Sequence, residues 1–143
     1  MVDLIKELQN KDDKAAYKIF QEMSERSAAS DLYYEYFEDF VGLLTSKSSY
    51  VRTRGFCLAC AQVRWDTEEK FVHSAGILLE LLHDDKAITV RKCLAALHEV
   101  VLYKPELNGQ IRTEISKMDL SKYKDTMAPL VQKDIKELLK VME

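Results

Sequence analysis

Two stretches of this chain are versions of one pattern. LLTSKSSYVRTRGFCL at 43–58 aligns with LLHDDKAITVRKCLAAL at 81–97 once one residue is inserted in the loop, and Val51-Arg52 falls on Val90-Arg91, 39 residues on. In each case a run ending in Leu-Leu leads through a short polar joint into a helix that opens on Val-Arg. LQNKDDKAAYKIF at 8–20 can be laid on LTSKSSYVRTRGF at an offset of 36. A period of this length is one helix pair, which cannot bury its apolar face alone and has to stack on its neighbours.

The rest of the chain agrees with a stack of helices. Four glycines and two prolines in 143 residues disfavour a turn-rich β fold, and 47% hydrophobic with 31% charged residues disfavours disorder. Polar joints recur about every twenty residues: NKDDK at 10–14, SAASD at 27–31, TSKSS at 45–49, WDT at 65–67, HDDK at 83–86, KPELNG at 104–109 and MDLSK at 118–122. Between them, apolar residues follow a period near 3.6, as in Phe37, Phe40, Val41 and Leu44 or Val90, Leu94, Leu97 and Val101. Asp66 or Thr67 can cap the helix that follows, and Pro105 lies just past the end of another. Pro129 either starts or kinks the last long helix, with DLSKYKDTM before it as a short helix or turn. The count is seven or eight helices in one domain, 1–143, with approximate units 1–29, 30–65, 66–104 and 105–143.

These residues resemble HEAT and armadillo-like repeats, in which two antiparallel helices form a unit and the second often opens on a small or β-branched residue followed by Arg, as in VRKCLAAL. The resemblance is strongest over 31–104. It implies an all-α fold, a right-handed α-α superhelix of stacked helix pairs, with the second helices lining the concave side. The sequence is also similar to small bacterial proteins of this repeat class, some of which carry an iron-sulfur assembly label; it contains no cluster site matching that label.

Divided by helix type, the formal charge of −3 separates into two signs. The outward segments carry Asp31, Glu35, Glu38 and Asp39, then Asp66, Glu68, Glu69, Glu80, Asp84 and Asp85 against Lys70. The inward segments carry Lys47, Arg52, Arg54 and Arg64, then Lys86, Arg91, Lys92 and Lys104 against Glu99. A basic concavity is therefore expected, able to grip an acidic peptide or a nucleic-acid backbone. Arg52 and Arg91 have two readings, partner contacts or braces between helices, with Asp84 or Asp85 within reach of Arg91. Arg54, Arg64, Lys92 and Lys104 are either a solvated face or part of the partner site. Tyr33, Tyr34, Tyr36, Phe37 and Phe40 cannot all face one core stripe of a single helix; either the group packs into the core against the preceding helices, or one side is exposed and the Tyr33–Phe40 segment offers Tyr34 as an interface anchor and a surface for self-association. Trp65 reads as a plug at a helix end.

Catalytic and metal patterns are weak. Cys57-Leu58-Ala59-Cys60 has CxxC spacing but falls mid-helix, where two packed thiols are the better reading. Cys93, His73, His83 and His98 add no zinc-site spacing, and His98-Glu99 lacks the second histidine of HExxH because position 102 is Leu. Asp84-Asp85 reads as cap carboxylates rather than a cation loop. The expectation is a cytoplasmic, non-enzymatic adaptor or scaffold with no cofactor and no membrane segment. Its partner is another protein or an acidic peptide. The alternative is a nucleic-acid backbone binder or, further off, a HEAT-like DNA glycosylase.

Overall fold

The computed structural model describes residues 3–142. Eight α-helices occur among them: α1 (Leu4–Glu7), α2 (Asp13–Ser27), α3 (Phe37–Gly42), α4 (Ser49–Ala61), α5 (Lys70–Leu79), α6 (Ala87–Tyr103), α7 (Asn108–Ser116) and α8 (Ala128–Val141). The starts follow capping chemistry. Asp12 accepts the Ala15 amide at the head of α2, and Ser48 accepts that of Val51 at the head of α4. Asp66 caps α5 with both carboxylate oxygens, 2.8 Å from the Lys70 amide nitrogen and 3.0 Å from that of Phe71. Pro129 lies in the first turn of α8, where its missing N–H costs nothing, and the residues before it form a 3₁₀ turn at Leu120–Lys122.

The helices sort into two layers. α2, α4, α6 and α8 lie side by side in that order, while α3 packs on α5 and on α4, and α7 packs on the turn Glu80–His83 that ends α5. The even-numbered helices are the second members of the helix pairs. One core runs between the layers, from Leu8 and Met23 through Phe37, Phe40, Phe56 and Phe71 to Leu94, Leu97, Val131 and Leu138. Gly55 sets the closest approach: a Cβ there would lie 2.5 Å from the Phe40 carbonyl oxygen and 2.8 Å from Leu43 Cβ.

The repeat is visible in the polar contacts. Thr53 Oγ1 and Thr89 Oγ1, 36 residues apart, lie 2.9 Å from each other between α4 and α6. Gln62 donates to Ser27 Oγ across 35 residues, and Arg64 to Glu99 across 35. Each joins neighbouring layer helices or their ends at a separation close to the offsets of 36 and 39 residues in the sequence.

The Tyr33–Phe40 segment differs from the single helix expected. Tyr34–Tyr36 is a 3₁₀ turn and α3 begins only at Phe37. The change from three to 3.6 residues per turn rotates the side chains relative to one another, so Tyr33, Tyr34, Phe37 and Phe40 are all buried and Tyr36 is half-buried. Of the two readings of this segment, core packing is the one observed.

Candidate functional site

Among the described residues, Arg52, Arg54, Arg64, Arg91 and Lys104 act as braces, and Lys92 does not. Arg52, at the start of α4, donates from Nε and Nη2 to the two oxygens of Asp84 at 2.9 and 3.2 Å, and from Nη1 to the carbonyls of Ser46 and Lys47. It ties its own joint to the next one. Asp84 is thus the partner of Arg52, not of Arg91 as the sequence suggested. An arginine at a helix head reaches the joint of the following pair because stacking places that joint beside it. Arg91 likewise points forward, pairing with Asp134 on α8 at 2.6 Å.

Arg54 is 5% exposed, contrary to a solvated reading. Its guanidinium pairs with Asp13 at the head of α2 and donates to the Leu8 carbonyl. Arg64 is shared by three layer helices, bonding the Ala28 carbonyl past the end of α2 at 2.6 Å and Glu99 on α6. Lys104 is 7% exposed, again buried where a solvated face was the alternative to a partner site. Its Nζ lies 3.2 Å from Glu69 and 3.6 Å from Asp66. Burial works to lower the Lys104 pKa, but the Glu69 hydrogen bond and both carboxylates outweigh it and hold the pKa raised.

Tyr34 belongs to the same joint. Its hydroxyl donates to Asp66 at 2.6 Å and accepts the Glu68 amide, and burial with the Asp66 bond pushes its pKa up. It anchors α5 to the preceding pair, so the interface role offered by the sequence is replaced by an internal one. Trp65 is the end plug expected, half-buried, with Nε1 donating to the Ser27 carbonyl at 2.7 Å.

Lys92 is the exception. It is exposed, and its ammonium sits 5.9 Å from the centroid of the Tyr17 ring. Tyr17 is on α2 and Lys92 on α6, so the contact reaches across the face of α4. It spans a groove of about 990 Å³, built from the N-terminal halves of α2, α4 and α6 and from the 122–127 segment that returns across the layer. Tyr17, Tyr50 and Ile88 line it at 44%, 63% and 62% exposure. Lys86, Lys92, Lys122 and Lys124 stand around them, with Asp13 and Asp85 the acids. Arg54 neutralises Asp13, and Lys122 lies 3.6 Å from Asp85. Lys86, Lys92 and Lys124 take part in no ion pair among the described residues. The first turn of α6 opens here, with the Asp84 carboxylate accepting the amide of Lys86 just before it.

Sequence reasoning identified Lys92 and counted Lys86, but missed Tyr17, Tyr50, Ile88 and Lys124. One signal was present: at the offsets of 36 and then 39 residues, Tyr17, Thr53 and Lys92 occupy one repeat position, so those three share a face.

Cys57 also lines the groove and is half-buried; Cys60 and Cys93 are buried, and all three are free thiols. Burial pushes the Cys57 thiol up to about 11, with Lys92 opposing the shift, and burial holds Cys60 and Cys93 well above the usual range. These thiols pack as small hydrophobes. Among the described residues no group of three or more His, Cys, Asp or Glu is placed to hold a metal ion, and no helix is long and apolar enough to cross a membrane. Compared with family models, curated proteins and solved structures, the chain matches none of them.

Proposed function

We propose that the chain is a HEAT- or armadillo-like right-handed repeat domain that works as a protein-binding adaptor, holding an acidic segment of its partner in the groove across α2, α4 and α6. One observation carries this reading: among the described residues Lys86, Lys92 and Lys124 form no ion pair and stand around a cluster of exposed apolar side chains, while the arginines of the same layer are consumed as braces. Charge left uncompensated beside exposed aromatic surface is what a partner site of opposite sign needs. The exposed carboxylates Glu35, Glu38, Asp39, Glu68 and Glu80 lie on the other layer and its joints, so the groove keeps its own sign.

The test is capture of partners from a native lysate by the native protein and by a Lys92→Glu, Lys124→Glu variant. The reading expects a protein with an acidic segment whose recovery falls about tenfold or more in the variant, a change of about 1.4 kcal/mol. Equal recovery of every partner contradicts it. Two exposed tyrosines beside lysines also favour a second reading, a nucleic-acid strand stacked on Tyr17 and Tyr50. That reading requires affinity for arbitrary oligonucleotides that falls steeply with salt.

A further inference from the structure

Resting on the groove as the partner site, we infer that recognition there is bipartite: the partner segment seats an apolar side chain between Tyr17, Tyr50 and Ile88, and carboxylates flanking it meet Lys86, Lys92 and Lys124. The groove is not built for charge alone. Beside the lysines its lining includes the exposed Tyr17, Tyr50 and Ile88, one from each of three successive layer helices. Exposed lysine–carboxylate pairs add little affinity each because water screens them, whereas removing an apolar side chain from water against aromatic surface adds more. The cations select instead: they repel basic segments and draw acidic ones into register. Lys92 links the two parts, since its ammonium lies against the Tyr17 ring and it lines the same groove as Cys57. Arginine, the better fork for phosphate, is represented here only by Arg54, already held by Asp13 and the Leu8 carbonyl. This favours a carboxylate-bearing protein segment over a nucleic-acid strand.

Cys57 supplies an internal reporter, because Cys60 and Cys93 are 1% and 0% exposed. Alkylation of Cys57 in the full chain by a neutral maleimide is followed beside fluorescence anisotropy of four probes. The first is a short Glu/Ser peptide and the second is the same peptide with one central Leu. The third carries that Leu among lysines, and the fourth is a single-stranded oligonucleotide. The expected result is binding of the Leu-containing acidic peptide about tenfold or more tighter than the Glu/Ser peptide, with slowed alkylation of Cys57 and no binding of the basic peptide. Ile88→Ser and Tyr17→Ala, both at exposed positions, remove that preference while Cys60 and Cys93 stay unreactive. A variant that exposes those two thiols is replaced by Tyr50→Ser. Equal affinity for the two acidic peptides overturns the bipartite inference and leaves the acidic reading of the groove standing. Failure of both acidic peptides overturns both. Protection by the oligonucleotide, or protection that rises with protein concentration alone, also overturns both, in favour of a nucleic acid or of a second copy of this chain.

Discussion

Arg52 and Asp84, 32 residues apart, form a two-point ion pair that fastens the head of α4 to the joint before α6. The Asp84 carboxylate also accepts the Lys86 amide, and its main-chain carbonyl accepts the Tyr123 hydroxyl. One residue thereby connects three successive helix pairs. The Arg52 and Asp84 side chains are 18% and 8% exposed, which places the pair well inside the range where an orphaned partner is costly.

Arg52→Ala is therefore expected to lower stability by about 2–3 kcal/mol, mostly through the carboxylate it leaves behind. In a chain of this length that is a fall in Tm of roughly 5–10 °C. The double variant with Asp84→Ala should recover part of the loss, with a coupling of about 1 kcal/mol or more in a thermal-unfolding cycle. Strict additivity would show that the pair does not hold the helix pairs together.

Two glycines test the packing of the layers. At Gly55 an added methyl meets a backbone carbonyl that cannot swing aside, so Gly55→Ala should destabilise by about 1–3 kcal/mol. At Gly76, inside α5, a Cβ meets nothing within 4 Å. Gly76→Ala should stabilise by about 0.5–1 kcal/mol through helix propensity. Denaturant titration of the two variants checks the opposite signs.

The thiols give a pH prediction. The unfolded chain releases the Cys57 proton near the ordinary thiol value of about 9, whereas the folded chain holds it to about 11. The folded state binds the extra proton between those values, so its stability is intact below about pH 9 and falls as pH rises toward 11, at about 1.4 kcal/mol for each unit of difference. Cys60, Cys93 and Tyr123 shift in the same direction. Cys57 alkylation should keep accelerating up to pH 10 without a plateau, and faster in the native protein than in Lys92→Ala. A plateau near pH 8 would mean an activated thiol and point to redox chemistry at the CxxC pair.

Helix positions, the cap on α5 and the stacking of second helices were legible because each rests on local chemistry repeated at a fixed period. Pro129 and Asp66 occupy places that their backbone and carboxylate chemistry prescribe. The 3₁₀ turn at Tyr34–Tyr36 was not legible, since burial of neighbouring aromatics decided the pitch. The site was half legible. Counting charge by helix found the right layer but could not tell bracing arginines from free lysines. That distinction depends on which carbonyl or carboxylate the stack brings near, as with Asp84 beside Arg52 and Asp13 beside Arg54. Lys124 was hidden because it comes from a loop that returns to the groove from the far end of the chain.

The most direct measurement of whether the lysines recognise while the arginines brace is a paired determination of Tm and of affinity for an acidic, Leu-containing peptide. It compares Lys92→Glu, Lys124→Glu with the native protein. Both positions are exposed and in no ion pair among the described residues, so Tm should stay within about 2 °C while affinity falls about tenfold or more. Unchanged affinity, or a fall in affinity that only follows a collapse in Tm, would contradict the account.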